Sequence, residues 1–285
     1  MPVVAVVNRK GGSGKSTLAA HLAAYGANNG ARVVVADVDR QQSMRAWLRE
    51  RNAQPAGQRP AIVGCAVDSR SFVRPPLGTD LVVVDTPGGL TGLELARVVM
   101  YADAILMPVC NSLFDRESAS DCLAELRMLP RVASGRCRLA SIGMRVEAGS
   151  EGHLVLQRWA ADRQLPYIAT LRESTTYVRC AEQGLTLFDL PPAVVRPDMA
   201  EWQPILEWLA QVLQPPAPMA SSANDARIAP LNALPAPVLR RPDAGTRPAA
   251  HPIAARTPPA RPLPGTPMGR LLGALPIPRF LQRSV

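Results

Sequence analysis

Ten consecutive residues carry the densest chemistry in this chain: Asn8-Arg9-Lys10-Gly11-Gly12-Ser13-Gly14-Lys15-Ser16-Thr17. They follow the strand-like run Val3–Val7 and precede a helical stretch, the setting a phosphate-binding loop requires. Glycines let the backbone curl until successive N–H groups face inward on phosphate oxygens. Lys15 is placed to neutralise β- and γ-phosphates, and the Ser16 hydroxyl to hold Mg²⁺. Lys10 and Lys15 are the only two lysines among 32 basic residues, all others being arginine. A compact ammonium with three donors therefore does something at 10 and 15 that a planar guanidinium cannot. A glycine turn that binds nothing is the bland alternative, and the strand–loop–helix context argues against it.

The elements that position this loop come from pattern. Val3–Val7, Arg32–Asp37, Leu81–Asp85, Ala104–Val109 and Leu139–Met144 are apolar with little alternation, as expected of parallel strands covered on both faces. Helical stretches are expected near 15–29, 41–51, 91–101, 115–129, 151–163 and 199–213, with Pro204 implying a kink or a later start in the last. The rhythm predicts an α/β fold with a doubly wound, mostly parallel sheet over residues 1–214. Residues 215–285 hold 16 of 29 prolines, nine arginines and two aspartates, a net of +7 out of +9 for the chain. Such a segment cannot bury enough apolar surface to order itself, and a disordered arm is expected there.

Composition removes several function classes. No apolar run approaches the roughly 18 residues of a membrane span. Met1-Pro-Val-Val-Ala lacks the basic and apolar regions of a signal peptide, so a cytoplasmic protein is expected. Five widely spaced cysteines with no C-x-x-C pair argue against a disulfide framework or zinc ribbon. His21, His153 and His251 suggest no local metal motif. Aromatics, at 4%, are too sparse for single-strand stacking platforms.

Lys10-Gly11-Gly12-Ser13-Gly14-Lys15-Ser16-Thr17 resembles the deviant Walker A motif of the ParA/MinD family of P-loop ATPases. Asp37-Val38-Asp39-Arg40-Gln41 resembles the family's D-x-D-P-Q segment, with Arg40 replacing the usual proline. Leu81-Val82-Val83-Val84-Asp85-Thr86-Pro87-Gly88 resembles Walker B with its D-x-x-G ending. The resemblance spans roughly residues 2–210 and implies a P-loop NTPase fold with ATP and Mg²⁺ as cofactors. It implies that Lys10 crosses a dimer interface to the nucleotide of the other subunit, so that ATP favours a homodimer and hydrolysis releases it. Asp39 would orient the attacking water, with Asp37 supporting the metal shell or simply capping a helix. Asp85 would reach Mg²⁺ through a water, and the Gly88 amide would sense the γ-phosphate. Arg145 either lines the adenine pocket or is a surface arginine.

The same resemblance implies slow, partner-stimulated ATP hydrolysis in the service of positioning cargo: DNA, a plasmid, or a protein cluster such as a chemotaxis array. Val33–Trp47 and Val109–Ser118 look closer to small, cargo-positioning ParA-like proteins than to chromosomal partition ATPases. Arg172 and Arg179 sit where such relatives place residues used against DNA, or are arginines on a solvated helix. The basic arm would add phosphate contacts without reading sequence, giving a nucleoid-associated protein. With the loop ten residues from the start, no preceding helix-turn-helix is expected. The other reading is a membrane- or partner-bound switch without DNA binding. Its membrane candidate, Met268–Val285, is interrupted by Pro276 and Pro278, which break any continuous helix and argue against an interfacial anchor.

Overall fold

In a computed structural model, residues 1–39, 41–55, 59–66 and 75–213 are described. Arg40 and the arm expected over 215–285 lie outside them. Seven parallel strands form one sheet: β1 (Val3–Val6), β2 (Val33–Asp37), β3 (Ile62–Ala66), β4 (Leu81–Asp85), β5 (Ala104–Val109), β6 (Arg138–Val146) and β7 (Tyr167–Arg172), in the order β3-β2-β4-β1-β5-β6-β7. The expected doubly wound P-loop sheet is present.

Register explains how distant carboxylates meet. Val6 pairs with Asp85, and Asp37 also pairs with Asp85. The end of β1, from which the glycine loop springs, and the two strand-terminal aspartates therefore form one row at the carboxyl edge, where ligands bind in open α/β sheets.

Side chains alternate between two cores. Val4 and Val6 face one with Leu18, Leu22 and Trp202, whereas Val3, Ala5 and Val7 face the other with Leu95, Leu123 and Leu156. The first core is covered by α1 (Lys15–Asn28), α2 (Ser43–Asn52), α7 (Thr175–Glu182) and α8 (Pro192–Leu213). The second is covered by α3 (Gly92–Tyr101), α4 (Leu113–Met128), the short α5 (Pro130–Ala133) and α6 (Gly152–Asp162). Burial on both faces is why the strands read as unbroken apolar runs.

Three features differ from expectation. The edge strands β3 and β7 were not legible, and neither was α7. The last helix begins at Pro192 and runs through Pro197 and Pro204, so Pro204 neither starts nor ends it. Proline at the first helical position costs no backbone bond, and the Trp202, Ile205 and Leu209 face, buried against the first core, outweighs the interior prolines.

A buried ion pair ties α2 to the far edge of that core. The Arg51 guanidinium donates to both carboxyl oxygens of Asp189, at 2.8 and 3.1 Å, and both side chains are almost fully enclosed. Gly184 makes this approach possible. It adopts φ +66, and a Cβ there would lie 2.1 Å from the Arg51 amide nitrogen.

Candidate functional site

The loop is shaped at its glycines and held at both ends. Gly12 and Gly14 adopt left-handed φ of 74 and 95, which L side chains rarely take. A Cβ on Gly14 would also sit 2.6 Å from the Met144 methyl. At the loop's start the buried Asn8 amide donates to the Pro108 carbonyl at 2.7 Å, and its side-chain oxygen accepts from the Lys10 N–H at 3.1 Å. At its end α1 begins at Lys15 with no side-chain cap, leaving its first N–H groups directed at whatever the loop encloses.

Lys15 is buried, and its ammonium donates to the Lys10 carbonyl at 2.9 Å. Burial lowers its pKa, against the pull of Asp85 and Asp39. Lys10 itself is exposed. A cleft of about 580 Å³ is lined by Gly11, Gly12, Gly14, Lys15, Ser16 and Thr17 on one side, and by Asp39, Pro87, Gly88, Gly89 and Arg145 on the other. Lys10 is not among the lining residues, although its backbone is fixed at both N–H and C=O.

Asp85 is fully buried, and neither carboxyl oxygen has a hydrogen-bond partner in good geometry. Burial pushes its pKa up to about 7; the adjacent Ser16 hydroxyl and Lys15 work against this shift, Asp37 and Asp39 with it. An orphaned buried carboxylate beside a hydroxyl is the donor set a hard divalent cation accepts, with phosphate and water completing its shell. The residues therefore fit magnesium. Among the described residues, no group of three or more His, Cys, Asp or Glu side chains is placed to hold a metal ion alone.

Both oxygens of Asp37 are engaged by backbone N–H groups. One oxygen accepts from the Asp39 N–H at 3.1 Å; the other accepts from the Met44 and Arg45 N–H groups at 3.0 and 3.2 Å. Its carboxylate is committed to the start of α2 and to the Asp39 turn, the helix-capping alternative. Asp39 is half-buried, and its own carboxylate accepts from the Gln41 N–H at 2.9 Å.

Gly88 packs on the loop so closely that a Cβ would meet the Gly11 Cα at 3.2 Å, and the Gly89 N–H donates to the Arg9 carbonyl at 2.7 Å. Arg145 enters the cleft because β6 is irregular between Met144 and Val146, with Arg145 in the left-handed region at φ 53.

The two arginines expected against DNA part company. Arg172 ends β7 rather than lying on a helix. Its guanidinium pairs with Glu201 at 2.8 Å and Asp198 at 2.7 Å, so most of its charge is already answered. Arg179 lies on α7, is exposed, and makes no ion pair among the described residues. Sequence reasoning missed the pairing of Arg9 with Glu125, 116 positions apart, for which spacing offers no signal.

Residues 4–217 match the family described as CobQ/CobB/MinD/ParA nucleotide binding domain. The chain is 32% identical over 217 residues to the Maintenance of carboxysome distribution protein A of Gloeobacter kilaueensis, covering 73% of this chain and 93% of that protein. It is 30% identical over 169 residues to the Chromosome-partitioning ATPase Soj of Thermus thermophilus, covering 49% of this chain and 67% of that one. Among solved structures, the ATP complex of a McdA variant from Cyanothece shares the fold at a TM-score of 0.56 and 17% identity, over 72% of this chain and 96% of that chain.

Proposed function

The chain belongs to the CobQ/CobB/MinD/ParA nucleotide-binding family, a P-loop ATPase kind, and on that footing we propose that it is an ATP-gated dimer that positions cellular cargo on DNA. One observation carries the reading. Lys15, Ser16, Asp39 and Gly88 converge on a single cleft with Asp85 buried behind Ser16, while exposed Lys10 projects from a clamped backbone without lining that cleft.

Each side chain then has a task. The loop amides and Lys15 cradle the phosphates. Magnesium, held through Ser16 and Asp85, would supply charge neutralisation at the β- and γ-phosphates. Asp39 orients the attacking water, and Asp37 holds the turn from which Asp39 projects. Lys10 reaches the nucleotide of the second copy, where its charge meets the negative charge spread over the γ-phosphoryl oxygens, as an arginine finger does. Hydrolysis removes the group that both copies share and so releases the dimer.

Exposed Arg179 and the basic arm over 215–285 supply non-sequence-specific phosphate contacts. Arg172 steadies β7 against α8 and contributes less. Similarity to a carboxysome distribution protein favours a protein assembly as cargo, reached through an adaptor that also stimulates turnover. Among the described residues no helix is long and apolar enough to cross a membrane.

Co-sedimentation of the purified full chain with plasmid and, separately, with anionic liposomes tests this. Capture on plasmid with ATP and not with ADP is expected. ATP-dependent capture on liposomes with none on plasmid overturns the DNA reading in favour of a membrane switch.

A further inference from the structure

Helix α4 carries a carboxylate that joins the two halves of the cleft. Cys122 and Glu125 lie three positions apart on α4, and both meet Arg9. The Arg9 backbone amide lies against the Cys122 thiol, and the Arg9 guanidinium pairs with one oxygen of Glu125. The other Glu125 oxygen accepts from the Gly92 N–H, the first residue of α3, where Thr91 provides no side-chain cap. Arg9 also accepts from the Gly89 N–H through its carbonyl. One side chain thus grips the loop at Arg9 and the segment after Asp85 at Gly92, on either side of the Gly88–Gly89 turn.

We propose that Glu125 is a positioning residue for ATP hydrolysis: its ion pair with Arg9 and its cap on Gly92 hold the Gly88–Gly89 turn in register with the phosphate loop. The inference rests on the ATPase reading above. Its physical basis is tolerance. Gly88 lies so near the loop that even a Cβ added to it would crowd the Gly11 backbone at 3.2 Å, and phosphoryl transfer depends on donors placed to fractions of an ångström. Both partner side chains are about one quarter exposed, at 27% and 24%, so solvent screens the pair less than it would a fully exposed one. The carboxylate also lies at the positive end of α3, which favours its charge. Glu125 does not line the cleft, so its removal acts on the turn rather than on nucleotide affinity.

The test uses the full chain with Glu125→Gln, which removes the charge and keeps an acceptor for Gly92. The expected result is a kcat lower by roughly tenfold, with ADP affinity within about twofold of wild type. Arg9→Gln is expected to lose the same factor, and the double variant no more than either single change, because both break one interaction. Additive losses, an unchanged kcat, or equal weakening of ADP and ATP overturns the proposal. Hydrogen exchange without nucleotide supplies a readout independent of catalysis. Glu125→Ala should speed exchange at the Gly89 and Gly92 amides while leaving the β4 amides protected, and unchanged exchange at both glycines also overturns it. A wild-type chain that binds ADP and hydrolyses no ATP refutes the underlying ATPase reading instead, with the exchange result still deciding the role of Glu125.

Discussion

The Lys15 ammonium donates to the main-chain carbonyl of Lys10 at 2.9 Å, so one lysine of the loop fixes the backbone from which the other projects. The two are thereby unequal. Lys15 is buried in the cleft wall and Lys10 is exposed. Lys15→Gln is expected to lose nucleotide binding by at least about a hundredfold, having lost both the phosphate charge and the strut to Lys10. Lys10→Gln is expected to bind ATP within about threefold of wild type and yet remain monomeric by sedimentation with ATP. Equal ATP-dependent dimerisation of wild type and Lys10→Gln removes the cross-subunit role.

Asp85 should give stability and function opposite signs. Its carboxyl is fully buried, and the adjacent Ser16 hydroxyl and Lys15 only partly offset the burial, an arrangement that costs free energy without a cation. Asp85→Asn removes the charge at nearly constant shape. In magnesium-free buffer at pH 8 the variant is expected to be more stable by on the order of 1–2 kcal/mol, read by urea unfolding. The same variant should lose the gain in ATP affinity that magnesium brings to wild type. A less stable variant that retains the magnesium effect would show that Asp85 is anchored by the protein rather than poised for a cation.

Asp37 and Asp39, two residues apart, should separate cleanly. Asp39→Ala removes one acceptor for the Gln41 N–H in a half-buried turn and the carboxylate facing the cleft. It is expected to bind ATP, accumulate as a dimer and turn over at least about a hundredfold more slowly, with little change in unfolding temperature. Asp37→Ala strands two backbone N–H groups at the start of α2, those of Met44 and Arg45, and the Asp39 N–H in the preceding turn. It is expected to cost roughly 1–2 kcal/mol of stability, the scale of a lost helix cap, before any effect on turnover. Equal loss of stability in both variants would place Asp39 in the scaffold.

What the sequence made legible follows from the range of each interaction. The phosphate loop, Asp39, Asp85 and Gly88 are local motifs, whose chemistry needs particular residue types at fixed short spacing. The central strands were legible because burial on both faces leaves an unbroken apolar run. The edge strand β3 offers no such run, since Gly64 sits where a Cβ would strike Leu48 at 2.5 Å and Val63 is exposed. Arg51 with Asp189, Arg172 with Asp198, and Arg9 with Glu125 are pairings across the fold, and a linear reading sees each member only as a surface charge. The helix through Pro197 and Pro204 misled for the converse reason. A local rule at Pro204 predicted a kink or a later start, and the helix starts at Pro192 instead, held by tertiary burial of Trp202 and its neighbours.

His21 provides the sharpest dependence on pH. It lies on α1, one turn beyond Thr17, fully enclosed between Tyr177, Phe188 and Trp202, the last stacked at 5.1 Å. Its Nδ1 meets the Thr17 carbonyl at 2.7 Å, and its Nε2 accepts from the Leu187 N–H at 3.3 Å, so the neutral ring with a proton on Nδ1 satisfies both contacts. Burial lowers its pKa from the ordinary 6.5 to about 4. Above pH 6.5 the ring is neutral in folded and unfolded chains alike, and it contributes no slope. Between 6.5 and 4 the unfolded chain takes a proton that the folded chain refuses, so stability falls as pH falls through that window and levels off below it. At pH 5 the loss is about 2 kcal/mol relative to pH 7.5. Asp85, whose folded pKa is raised to about 7, works in the opposite sense over the same window, so the measurement is a difference between variants. His21→Gln does not titrate. Urea unfolding at pH 7.5 and pH 5 should show wild type losing about 2 kcal/mol more than His21→Gln, whichever is the more stable at the start. Parallel losses in the two proteins would mean that the imidazole accepts its proton inside the fold, and that the aromatic enclosure opens to let water reach it.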